Sequence, residues 1–204
     1  CSNIGRQMSM LIRRLHGVSH GYYAWLSTRR LIRKIITYKP DIVHLQCING
    51  GIVDIFKLLT FLGDNEIKTI ITQHAEFFYT GTCGVAYDCD KCFNDPGCGD
   101  CPIYKSEVHS IFDKTRFSWR QTAKAFSTFE KSKIVLASVS PWLKARSMMS
   151  PITGVFKNVV VLNGVDDNIF KLRHVSERIK QKFDPSKKII LYVTAAFDQR
   201  REHL

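Results

Sequence analysis

Four short apolar runs, separated by stretches of helical period, constrain this chain more than any other feature. Asp41-Ile42-Val43-His44-Leu45, Ile67-Lys68-Thr69-Ile70-Ile71-Thr72, Lys133 to Ala137 and Val159 to Leu162 are rich in β-branched residues and too short for helices. Between them, Ile52 to Leu62, Thr115 to Lys131 and Pro141 to Met149 read as helices, and another runs from about Ser27 to Tyr38. Ser27 or Thr28 can cap the start of that helix, and Pro40 prevents its continuation. Strand and helix in alternation predict an α/β fold, a Rossmann-like parallel sheet with flanking helices. A polar helix near Val175 to Lys182 leads to a last strand, Lys188 to Val193, and a long irregular stretch runs from His74 to about Phe112.

With 45% of its 204 residues apolar, the chain can bury a core without disulfide staples, and its 24% charged and 11% aromatic content excludes a disordered polymer. No apolar run reaches the ~18 residues of a membrane span. The first residue is Cys1, no basic-then-apolar leader is present, and the end at Leu204 follows an apolar run with no closing element, so both ends look cut. Lys and Arg outnumber Asp and Glu by 30 to 18, a net charge of +12 that favours polyanionic partners. Arg6, Arg13 and Arg14 lie in a helical pattern from Ile4 to Leu15, and Arg29, Arg30, Arg33 and Lys34 in the Ser27 helix. These are either solvated faces of packed helices or a surface for an anionic membrane leaflet.

The strand ends carry the candidate site, because ligands of open α/β sheets sit beyond the carboxyl ends of the strands. There the sequence places Asn49-Gly50-Gly51, then His74 and Glu76, then Ser138-Val139-Ser140, then Asn163-Gly164-Val165-Asp166. Polar and small residues in those positions let a ligand approach the backbone. His74 and Glu76 suit general acid–base chemistry, or else Glu76 caps the loop and His74 bonds backbone. His44, inside its strand, reads as a satisfied core or supporting histidine.

Five of the seven cysteines fall in the loop, as C-x5-C-x2-C-x5-C-x2-C over Cys83, Cys89, Cys92, Cys98 and Cys101. Four of these five could hold a structural zinc ion; disulfides or free thiols are the alternatives. The odd total and paired C-x-x-C spacing fit a reducing compartment.

Lys39-Pro40-Asp41-Ile42-Val43-His44-Leu45, Ile70-Ile71-Thr72-Gln73-His74, Thr80-Gly81-Thr82-Cys83, Cys98-Gly99-Asp100-Cys101-Pro102 and Val161-Leu162-Asn163-Gly164-Val165-Asp166 with Phe170 resemble, in order, the retaining family-4 glycosyltransferases of bacterial polysaccharide assembly. The branch is the colanic-acid and capsule type with a cysteine-bearing loop. The resemblance implies that residues 1–165 are the N-terminal, acceptor-side domain of a GT-B fold, lacking its first strand and carrying the irregular loop at 74–112. Residues 166–204 would then be a linker and the start, one strand, of a second Rossmann-like domain that binds the nucleotide sugar. It implies sugar transfer from a nucleotide-sugar donor to a lipid-linked or saccharide acceptor, with retention, by a cytoplasmic enzyme peripheral to the inner membrane face. No cofactor is implied for catalysis. His74 would contact the donor sugar, Asn163, Gly164 and Asp166 would line the cleft, and Arg200 or Arg201 would neutralise the leaving diphosphate. The chain departs from the family pattern at Gln46, Ala75 and Glu202, and by itself it is expected to be inactive. The alternative reading is a basic zinc-knuckle module for nucleic acid. The acids Asp88, Asp90, Asp95 and Asp100 in the loop oppose it, so no nucleic-acid partner is expected.

Overall fold

The computed structural model describes residues 11, 14–15, 17–18, 20–86, 88–171, 182–184 and 186–188. Most of the Ile4–Leu15 helix, the Val175–Lys182 helix and the Lys188–Val193 strand lie outside them. The chain divides into two compact units, residues 1–163 and 164–204.

The first unit is an α/β fold on a four-stranded parallel sheet. Its elements run α1 (Trp25–Tyr38), β1 (Val43–Gln46), α2 (Ile55–Asp64), β2 (Thr69–Gln73), α3 (Tyr104–Val108), α4 (Thr115–Phe126), β3 (Ile134–Ser138), α5 (Pro141–Met149) and β4 (Lys157–Val160). The strands lie in chain order, β1-β2-β3-β4, and every neighbouring pair is parallel. This matches the expected Rossmann-like arrangement of strand and helix.

The strand order has a consequence for packing. Parallel crossovers are right-handed, so a sheet that always steps in one direction places every connecting helix on the same face. That face carries Leu45, Ile71 and Leu136, aligned side by side by the register Leu45–Ile71–Leu136. They share one core with Ile55, Leu58, Leu59 and Leu62 of α2, Trp119 and Phe126 of α4, and Leu143 of α5. The opposite face holds the exposed His44 and Gln46 and the half-buried Ile70, Thr72, Val135 and Val159. Of the two readings of His44 the core one fails, since it is exposed, and its Nε2 is satisfied by Thr72 Oγ1 at 2.8 Å.

Capping explains most boundary shifts. Asp54, fully buried, accepts the Lys57 N–H at 3.1 Å and starts α2 three residues later than expected. Helix α1 begins at Trp25, before both expected caps. Thr28 is instead an internal tie, donating to Ala24 O at 2.6 Å and accepting the Asp54 N–H at 2.8 Å. Lys39 then turns left-handed (φ 47°) ahead of Pro40 and ends the helix. Strand β4 lies two residues earlier than the apolar run suggested. Asn158 bonds Ser147 Oγ and the carbonyls of Thr153 and Phe156, which fixes the edge strand there and leaves Val161 and Leu162 exposed.

Candidate functional site

Because all four strands run the same way, their carboxyl ends lie along one edge. At its centre Gln73 is fully buried and its Oε1 accepts the Ser138 hydroxyl at 3.0 Å, tying β2 to β3. The Gln73 amide nitrogen is buried with no hydrogen-bond partner. The ladder continues through Val139 N–H to Gln73 O at 3.2 Å. His74 follows at once and is exposed. Beyond β1, Cys47 in the left-handed region (φ 48°) leads into a 3-10 turn, Ile48–Gly50, that Gly51 closes at φ 70°. Beyond β3, Ser140 Oγ accepts the Leu143 N–H at 3.1 Å and caps α5. His74, the Asn49-Gly50-Gly51 turn and the capped N-terminus of α5 thus share the carboxyl edge. Sequence reading did not pair Gln73 with Ser138, a bond between residues sixty-five positions apart.

Glu76, expected beside a substrate, has no exposed surface. Its Oε1 accepts the Tyr79 hydroxyl at 3.1 Å and the Arg146 Nε–H, and its Oε2 accepts the Ala86 N–H. The guanidinium of Arg146 in turn lies 4.9 Å from the Phe93 ring centre and 5.2 Å from that of Trp142. Glu76 is the internal anchor of the loop, and Arg146 fastens that anchor to α5. Burial, with the neighbouring carboxylate, pushes the Tyr79 hydroxyl well above its ordinary pKa, so it stays a proton donor to Glu76. No local pattern announces a bond between residues seventy positions apart, which is why Arg146 escaped the sequence reading.

Asn163 is exposed three residues after β4. In the second unit Gly164 and Asp166 are exposed, and Asp166 caps a turn, accepting Asn168 N–H on Oδ1 at 2.9 Å and Phe170 N–H on its carbonyl at 2.8 Å. Arg200 and Arg201 lie outside the described residues.

The loop brings all five of its cysteines, as free thiols, around one cavity of about 20 Å³ that Thr80, Thr82 and Thr115 also line. Cys98 Sγ accepts the Gly81 N–H at 3.2 Å. A hydrogen bond from Cys83 brings the Cys101 thiol down to about 7; burial opposes this, and the Ile103 N–H assists it. Cys83, the donor of that pair, is pushed strongly upward by the bond and by burial. Burial also raises Cys98 to about 11 and Cys92 to about 12, the latter reinforced by the charges of its neighbours. Among the described residues no three Cys, His, Asp or Glu side chains already stand in a metal-binding arrangement.

Directed hydrogen bonds tie together the ring around this cavity. Lys91 Nζ donates to Gly99 O at 3.1 Å and Asp100 O at 2.8 Å. Asp113 accepts the Cys101 N–H at 2.7 Å and the Thr115 hydroxyl at 2.7 Å. Trp119 Nε1 donates to Cys92 O at 3.2 Å, and Gly97 (φ 85°) lies flat against the same indole. A Cβ on Gly97 would come within 2.3 Å of that ring. Asp88, Asp90, Asp95 and Asp100 are all exposed.

No family model matches the chain, and neither a characterised protein nor a solved structure matches it. No described helix is long and apolar enough to cross a membrane.

Proposed function

We propose that this chain belongs to a retaining glycosyltransferase of the GT-B type and contributes the acceptor-side half of its site. The observation that carries the reading is the exposed His74, set directly after the last paired residue of a central strand at the carboxyl edge of a parallel sheet. Ligands of such sheets bind along that edge. Around it the backbone turn at Ile48–Gly50 offers close approach, and the α5 N-terminus favours anionic groups. His74 then hydrogen-bonds the donor sugar beside the reacting carbon, while Gln73 and Ser138 hold the strand end rigid from inside. A donor sugar on a nucleoside diphosphate and a lipid-linked or saccharide acceptor are the substrates in this reading.

Helix α1 supports a resting place for such an enzyme. Arg29, Arg30, Arg33 and Lys34 are exposed on it together with Trp25, Leu26, Ile36 and Tyr38. Bases beside exposed aromatic and aliphatic side chains suit the headgroup layer of an anionic leaflet, where charge and apolar surface are both satisfied.

The test is transfer of labelled sugar from a panel of nucleotide sugars onto membrane lipid extracts, by the protein expressed together with its flanking coding sequence. The expected result is transfer with one donor, and a loss on the order of 100-fold for His74→Ala at unchanged melting temperature, as for removal of one transition-state hydrogen-bond donor. No transfer with any donor, or full activity in the variant, rejects the assignment of His74.

A further inference from the structure

We propose that four of the five loop cysteines, Cys83, Cys89, Cys92, Cys98 and Cys101, bind a structural zinc ion in the cavity they line. The proposal stands independently of the glycosyltransferase reading, because it concerns what holds the 74–112 loop and not what the sheet edge binds.

Convergence is the first observation. Cysteines from positions 83, 89, 92, 98 and 101 line the same cavity of about 20 Å³, although the chain between them turns several times. A space of that size holds one water-sized or ion-sized particle and no organic ligand. Thiolate ligands in fours select tetrahedral zinc or iron–sulfur clusters, and a space for a single atom fits the former.

The second observation is the set of donors aimed at the sulfurs. The Gly81 N–H points at Cys98 Sγ at 3.2 Å, and the Ile103 N–H serves Cys101. Such bonds stabilise thiolate charge, and outer-shell donors of this kind accompany metal ligands. Lys91, clamped on the carbonyls of Gly99 and Asp100, places an ammonium beside the Cys98–Cys101 segment. Four thiolates around Zn²⁺ carry a net charge of about −2, which this ammonium partly offsets. The left-handed residues Gly97, Gly99 and Asp100 (φ 85°, 150° and 46°) give the chain the tight curvature that lets Cys98 and Cys101 face one point.

The third observation is depth. Cys83, Cys92 and Cys98 are buried and Cys89 and Cys101 half-buried, so most of the set is sheltered from solvent. Binding releases the thiol protons to solvent and involves no electron transfer.

The experiment uses the whole 204-residue chain, purified with a thiol reductant and without chelator. Elemental analysis is expected to give about one zinc per chain. Exchange for Co²⁺ is expected to give the intense visible bands and sulfur-to-metal charge transfer of tetrahedral thiolate coordination. Alanine substitution at each of the five cysteines in turn should lose the metal in four variants and keep it in one. If the variants fail to fold, the cobalt spectrum of the unsubstituted chain still decides. Zinc-free protein whose five loop thiols all react with maleimide after unfolding overturns the proposal, as does a disulfide seen by intact mass or an iron–sulfur chromophore. Zinc kept in two or more of the five single variants overturns the four-thiolate set.

Discussion

In the sheet, Ile71 and Leu136 have no exposed surface and lie side by side in the core they share with Leu59 of α2 and Phe126 of α4. The equally buried Gln73–Ser138 pair at the strand ends is the polar exception. In the 74–112 loop the fully buried groups include Glu76, with Thr80 and Cys92 almost as deep. One region is held by apolar surface removed from water, at ~25 cal/mol per Å² and without directional demands. The other is held by directed bonds: Glu76 to Arg146, Tyr79 and Ala86, Lys91 to two carbonyls, Asp113 to Cys101 and Thr115. The contrast is not complete, since Phe77, Phe78 and Tyr79 sink from the loop into the common core. The loop therefore has more apolar anchorage at its start than its many acids and glycines suggest. From Asp88 to Ile103 it relies on turns, bonds and sulfur. The lesson concerns tolerance: apolar packing degrades gradually when a side chain shrinks, whereas a buried charge left without its partner does not.

The sharpest way to break that contrast is to remove one partner from each region. Glu76→Ala leaves the Arg146 guanidinium, whose side chain is 19% exposed, without its carboxylate. A loss of about 4 kcal/mol is expected, in the range for breaking a buried pair. Leu136→Ala should cost about 3 kcal/mol through lost transfer energy and a cavity. Denaturant melts of the two variants decide the order. If Glu76→Ala costs less than 1 kcal/mol, the loop is held by its aromatic residues and not by the ion pair.

His20 sharpens the comparison because it sits where the two regions meet. Its ring stacks on Phe56 of α2 at 5.0 Å and on Phe77 of the loop at 4.2 Å. Burial lowers its pKa to about 4, partly offset by a bond to the Phe77 backbone. The unfolded chain, at about 6.5, then binds the proton that the folded chain refuses. The stability from a neutral His20 is complete above pH 6.5 and declines as pH falls toward 4. The expected total is about 3 kcal/mol. Denaturant melts at pH 7.5, 5.5 and 4.5 test this, with His20→Phe expected to flatten the profile; an unchanged slope in that variant assigns it to other groups.

Gly97→Ala tests the loop in isolation. The added methyl meets the Trp119 indole, and a left-handed φ of 85° disfavours any side chain. About 2 kcal/mol of destabilisation is expected, from overpacking and backbone strain together. Proteolysis should open the 88–103 segment first and the sheet later. Simultaneous cleavage of both would show that the two regions melt as one.

The smallest expected effect concerns the outer face of α1. Co-sedimentation with vesicles containing anionic lipid should fall as salt rises, because exposed charges are screened within about 8–10 Å at physiological ionic strength. Binding that is absent, or equal at low and high salt, removes the membrane face from the account.

The apolar runs determined the parallel sheet by themselves: β-branched runs of four to six residues between helical patterns leave few other arrangements. Pro141 to Met149 forms the helix its pattern specified, and the C-x-x-C spacing marked the loop as a unit. Boundaries were less legible where tertiary bonds override local preference, as at Asp54, which starts α2, and at Asn158, which fixes β4. Only the tertiary structure decided that His44 is exposed and Glu76 buried, and that Arg146 crosses from α5 to the loop. It also decided that Cys92 shares its surroundings with a carboxylate while Cys98 receives a backbone N–H. The physical reason is range. Periodicity and turn chemistry act over a few residues and are written in order along the chain. The pairing of buried charges, and the choice of which sulfurs face which donors, depends on atoms brought together across tens of positions only once the sheet has formed.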